Sequence, residues 1–167
     1  MTTRVVETSD SRQTEALGAD LAACLSEGDV VLVTGELGAG KTTFVRGAAH
    51  ALGVTDPITS PTFSIGHRYR GRHVTVSHLD LYRLAGLQTE EPDLLDDYLG
   101  PGRIAFVEWP EQTAPELRDA RVQVTLTHLG EECRRVELCE RPLGPRHAPV
   151  DGSAREVPDE LVPEVSP

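Results

Sequence analysis

The chain has 167 residues, with 27 acidic against 16 basic side chains and a formal net charge of −11. That length suits one domain with an ordinary core, and the acidity argues against a protein that grips RNA or DNA unaided through a basic face. No apolar run approaches the ~20 residues of a membrane span, and the N-terminus lacks the basic and apolar regions of a signal peptide, so a soluble cytoplasmic protein is expected.

In chain order, Asp10 can cap a helix with Gln13 as its capping-box partner. Leu17, Leu21 and Leu25 then recur at helical spacing, with Cys24 beside them and Gly28 as a stop. Cys24, Cys133 and Cys139 show neither CxxC nor zinc-ligand spacing; an odd number fits a reducing compartment, and each reads as a small buried hydrophobe. Val30 to Thr34 is a short β-branched run, buried on both faces if it is a strand of a parallel sheet. Gly35-Glu36-Leu37-Gly38-Ala39-Gly40-Lys41-Thr42 follows, and Thr42 to Leu52 reads as the next helix, ended by Gly53.

Thr55 to Pro61 is loop. Phe63 to Tyr69 and His73 to Leu79 are strand-like runs split by Arg70-Gly71-Arg72, a hairpin. Glu90 to Tyr98 holds five acids with Leu94 and Leu95 and reads as a short helix. Ile104 to Trp109 is another strand, stopped by Pro110. Arg121 to His128 and Cys133 to Glu140 alternate and form a second hairpin. From Arg141 onward there are six prolines, eight charges and no Phe, Tyr or Trp, too little apolar surface to offset chain entropy. Residues 1–140 are thus expected to form the folded domain and 141–167 a disordered tail. The fold class expected is α/β: a three-layer P-loop NTPase fold, its mixed sheet having parallel core strands and antiparallel hairpins at the edges.

The motif GxxxxGK[ST] between a strand and a helix carries the chemistry. Gly35, Gly38 and Gly40 let the backbone N–H groups of the loop, including Glu36 and Ala39, turn toward phosphates. The following helix adds the positive end of its dipole. Lys41 reaches the β- and γ-phosphates, Thr42 supplies a hydroxyl for Mg²⁺, and Thr43 can bond the α-phosphate. Of 16 basic residues, 15 are arginine and Lys41 is the single lysine. A compact ammonium between phosphate oxygens is a task the planar guanidinium cannot perform.

Such a loop also needs a carboxylate at a neighbouring strand end. Glu108 closes the apolar run Ile104-Ala105-Phe106-Val107 and is favoured for magnesium. Asp80, on the same strand face as His78, is the second candidate, either positioning the attacking water or backing the metal. His78 as a metal ligand lacks a second histidine at suitable spacing. Trp109 is either a core residue facing away from Glu108 or a wall of the nucleotide pocket. Thr59, Ser60 and Thr62 form a hydroxyl-rich segment, either a capped polar turn or a sensor of the γ-phosphate.

Together, the P-loop with Thr43-Phe44, Ser60-Pro61-Thr62-Phe63, His78-Leu79-Asp80-Leu81-Tyr82-Arg83 and Val107-Glu108-Trp109-Pro110 resemble the TsaE (YjeE) family over roughly residues 4 to 140. That family is the small P-loop ATPase of bacterial tRNA threonylcarbamoyladenosine synthesis. The resemblance implies ATP and Mg²⁺ as cofactors, TsaB and TsaD as partners, and tRNA held mainly by those partners. It implies that Thr42 and Glu108 hold magnesium, that Lys41 binds phosphate, that Asp80 and Trp109 support hydrolysis, and that Ser60, Pro61, Thr62 and Phe63 form the switch. Ser11 and Arg134 are expected near the nucleotide base. A P-loop small-molecule kinase, with Arg68, Arg70 and Arg72 as lid arginines, and an assembly switch without essential hydrolysis are the alternatives.

Overall fold

The computed structural model describes residues 2–61, 64–82, 93–110, 117 and 120–141. Thr62, Phe63 and residues 142–167, hence nearly all of the expected tail, lie outside that set. The elements are β1 (Thr2–Thr8), α1 (Ser11–Ala22), β2 (Val30–Gly35), α2 (Lys41–Ala51), β3 (Gly66–Arg70), β4 (Thr75–Asp80), α3 (Asp93–Leu99), β5 (Arg103–Glu108), β6 (Val122–His128) and β7 (Arg134–Glu140).

The strands form one sheet in the order β1-β7-β6-β2-β5-β4-β3. The pairs β2–β5, β2–β6 and β4–β5 are parallel, while β3–β4, β6–β7 and β1–β7 are antiparallel. Alternation sorts the core onto two faces. Val31 and Val33 join Phe44, Val45, Phe106, Leu17 and Leu21 on the side of α1 and α2. Val30 and Leu32 turn to Leu79, Val107, Leu95, Tyr98 and Leu99 on the side of α3. Helices therefore cover both faces, giving the three layers expected. Among the described residues no helix is long and apolar enough to cross a membrane.

Helix α1 starts as its sequence dictates. The Asp10 side chain accepts from the Gln13 N–H at 2.8 Å, although Gln13 reaches back to the Ser9 N–H at 3.0 Å rather than to that of Asp10 itself. The helix ends at Ala22, so Leu25 packs on the core from the loop beyond it. Gly18 and Gly47 mark where α1 crosses α2. A Cβ on Gly18 would collide with the Phe44 carbonyl oxygen, and one on Gly47 with that of Glu15. This close crossing fixes the helix that begins at Lys41.

Two expectations need correction, and one element is unanticipated. Cys24 and Cys133 are exposed and Cys139 is half-buried, so none is a buried hydrophobe; Cys24 lies past the end of α1, and Cys133 in the turn before β7. The first hairpin is displaced toward the C-terminus, with β3 starting at Gly66 and the turn closing from the Gly71 N–H to the Val74 carbonyl. Finally, β1 has no counterpart in the sequence reading. Its backbone pairs from Thr2↔Glu140 to Thr8↔Arg134, but its side chains are mostly exposed, so it lacks the alternating apolar signal.

Candidate functional site

The strands β2, β5 and β4 all end at one edge of the sheet, with Val33 paired to Glu108 and Glu108 to Asp80. The loop 35–40 springs from that edge and turns directly into α2. Gly35 has φ 140° and Gly40 φ 99°, both in the region that favours glycine; a Cβ on Gly35 would also strike the Leu126 carbonyl oxygen. Unlike α1, whose first turn is capped by a carboxylate, α2 has no side-chain cap at Gly40. Its first turn is therefore left without a side-chain acceptor, an arrangement suited to an anion.

Lys41 is buried, and its ammonium donates to the carbonyls of Gly35 at 2.8 Å and Glu36 at 2.9 Å. It also lies 3.9 Å from the centroid of the Trp109 ring, within cation–π range. Trp109 adopts φ 58°, the sole positive φ outside glycine among the described residues. That turn breaks strand alternation, so the indole lies over the loop lysine instead of in the core. The indole thus stands against the loop lysine and belongs to neither buried core cluster. The Tyr82 ring packs against the outer indole with centroids 4.9 Å apart.

Glu108 is 2% exposed. Its Oε1 accepts from the Thr42 hydroxyl at 2.9 Å and lies 2.8 Å from His78 Nε2. Asp80 is engaged differently: the Ser60 hydroxyl donates to its Oδ2, and the Tyr82 N–H to its Oδ1 at 3.2 Å. The two acids are thus cross-strand neighbours with separate partners, one tied to the loop helix and one to the 59–61 segment. Pro61, the last residue of that segment, is buried; Thr62 and Phe63 are outside the described residues.

On the other side of the loop, Ser11, Thr14, Gly40, Thr43 and Arg134 line a cleft of about 260 Å³. The structure therefore brings together Ser11 and Arg134, 123 residues apart, beside the P-loop. Arg134 donates from Nε to the Ala39 carbonyl at 3.0 Å and from Nη1 to that of Cys133 at 2.9 Å. Its guanidinium is a strut between the loop and the β6–β7 hairpin, at the border of the cleft. Arg70 is at the far end of the sheet: it pairs with Thr75, the start of β4, about 17 Å along the strand from Asp80 at ~3.3 Å per residue.

Sequence reasoning gave no role to Tyr82 and considered His78 only as a ligand. The signal for both was their place in His78-Leu79-Asp80-Leu81-Tyr82, which puts them at the same strand end as Asp80.

A family model described as "Threonylcarbamoyl adenosine biosynthesis protein TsaE" matches residues 8–136. The tRNA threonylcarbamoyladenosine biosynthesis protein TsaE of Bacillus subtilis is 35% identical over 130 residues, covering 77% of this chain and 80% of the relative. That of Streptomyces coelicolor is 39% identical over 143 residues, covering 82% and 95%. The crystal structure of Bacillus subtilis YdiB superposes with a TM-score of 0.61 at 33% identity, covering 82% of this chain and 84% of that one. With the P-loop fold and these matches across most of its length, the chain belongs to the TsaE family of threonylcarbamoyl adenosine biosynthesis proteins.

Proposed function

We propose that this chain binds ATP with Mg²⁺ and hydrolyses it slowly, as the nucleotide-driven subunit of a TsaB–TsaD–TsaE complex that makes tRNA N6-threonylcarbamoyladenosine. The observation that carries the reading is the convergence of Lys41, Thr42 and Glu108 on the uncapped N-terminus of α2. Lys41 is sheltered by Trp109 and held by two loop carbonyls, contacts that phosphate oxygens would replace. The Thr42 hydroxyl and the Glu108 carboxylate are hard oxygen donors 2.9 Å apart. Two protein ligands suit Mg²⁺, which takes its remaining positions from phosphate and water. Held there, Mg²⁺ would supply positive charge against the phosphates.

Asp80, steadied by Ser60 and the Tyr82 N–H, would accept a hydrogen bond from the attacking water. Ser60 thereby links the switch segment to that acid. Ser11 and Arg134 would flank the base, the guanidinium offering a flat cationic face to a purine. Arg134 is committed to backbone carbonyls and does not act as an arginine finger, which supports slow turnover without partners. At −11, the chain leaves tRNA binding to TsaB and TsaD. The placement of Arg70 away from the loop favours hydrolysis over a kinase with a lid built from that hairpin.

The test is reconstitution with TsaB, TsaD, tRNA and ATP. Modified tRNA accumulates over many rounds with the wild-type chain and stops when it is omitted or carries Lys41→Ala. Multiple turnover without the chain, or rapid phosphate transfer to an added nucleoside or sugar by the chain alone, would overturn the reading.

A further inference from the structure

We propose that His78 is a positioning residue for the magnesium carboxylate: it holds Glu108 Oε1 so that the carboxylate meets the cation in one orientation. This deepens the Mg²⁺–nucleotide reading above and rests on it.

The register of β4 on β5 sets the geometry. His78 pairs with Phe106 and Asp80 with Glu108, so His78 stands one pleat behind Glu108 on the same face. Its ring is fully buried, and Nε2 reaches Oε1 at 2.8 Å. Thr42, on α2, donates to that same oxygen at 2.9 Å. With Nε2–H donating as well, one carboxylate oxygen is fixed by two donors from two elements, and the other is left to turn toward the cation or its water shell. Donors of this kind orient metal-ligating groups and raise metal affinity.

Packing alone does not account for a histidine here. Among the described residues, buried Nδ1 has no hydrogen-bond partner, an arrangement that lowers stability relative to an apolar side chain of similar size. Val76, on the same face of β4, shows what that face otherwise holds. His78 keeps a polar ring in the core, and among the described residues the hydrogen-bond partner of its Nε2 is Glu108.

The test compares His78→Leu, which fills the space without a donor, with His78→Gln, whose amide N–H can stand near Nε2. ADP affinity is measured by calorimetry on the full chain, first in EDTA and then across a Mg²⁺ titration. For His78→Leu the affinity in EDTA stays within about twofold of wild type, while half-saturating Mg²⁺ rises about 10- to 100-fold; His78→Gln recovers most of that loss. Should His78→Leu fail to fold, His78→Asn replaces it, its shorter amide falling short of Oε1. An unchanged Mg²⁺ requirement in the donor-less variant, or equal impairment of the donor-less and Gln variants, overturns the role of His78. Wild-type chain that binds no ADP at all overturns instead the nucleotide reading beneath it.

Discussion

Glu108→Gln separates metal chemistry from fold, and the separation can be worked from the contacts. Oε1 accepts from Thr42 at 2.9 Å and lies 2.8 Å from His78. An amide oxygen can accept both bonds in place. Each then falls from the charged to the neutral class, from about 1.5–3 to about 0.5–1.5 kcal/mol. Removing a buried charge works in the opposite direction, so Tm should move by only a few degrees. Glu108→Ala behaves differently. It strips His78, whose Nδ1 has no partner among the described residues, of the acceptor at Nε2 and opens a hole beneath α2. That costs about 3–5 kcal/mol, or roughly 6–20 °C in Tm at ~2–4 °C per kcal/mol. The assay is thermal unfolding followed by phosphate release and nucleotide affinity with and without Mg²⁺. Near-wild-type Tm, retained ADP affinity in EDTA and loss of Mg²⁺-dependent turnover are expected for Glu108→Gln. A Gln variant that hydrolyses ATP with unaltered Mg²⁺ dependence would refute the assignment of this carboxylate.

Three other outcomes follow from the same site. Trp109 is the single tryptophan and covers the Lys41 ammonium, so its emission should change on adding nucleotide; an unaltered spectrum at saturation contradicts the pocket-wall placement. Ser60→Ala frees one oxygen of Asp80 and should lower turnover about tenfold, equivalent to ~1.4 kcal/mol, with nucleotide affinity unchanged; a fall in affinity instead would place Ser60 on the nucleotide. Gly47→Ala gains about 1 kcal/mol of helix propensity but drives a methyl into the Glu15 carbonyl, giving a net loss of about 1–2 kcal/mol. Thermal melts check this, and a Tm at or above wild type would mean that α1 and α2 do not cross at that point.

Where the signal is local, the sequence already holds the structure. The strand–loop–helix from Val30 to Gly53 is legible because each glycine answers a backbone need within a few residues. The β6–β7 hairpin is legible because Val122, Val124 and Leu126 alternate with polar neighbours and face Val136 and Leu138 across the turn. What fails is what tertiary structure decides. β1 owes its existence to β7, more than a hundred residues away. Trp109 reads equally as a core residue or as a pocket wall, and only a single positive φ, which no residue pattern specifies, turns it over the loop. The His78–Glu108 contact spans 30 residues and depends on the parallel register of two strands, which no residue pattern specifies. Ser11 and Arg134 carry no local signal that pairs them; the cleft that joins them exists only once β7 lies beside the start of α1.

The single lysine has a consequence for anyone handling the protein. A lysine-specific protease meets one peptide bond it can cut, Lys41–Thr42, and cleavage yields fragments of 41 and 126 residues. That bond lies in the buried start of α2, so it opens to the enzyme only when the loop leaves the sheet. The rate of appearance of two bands then reads how often the loop lets go, in a chain carrying no label and no substitution.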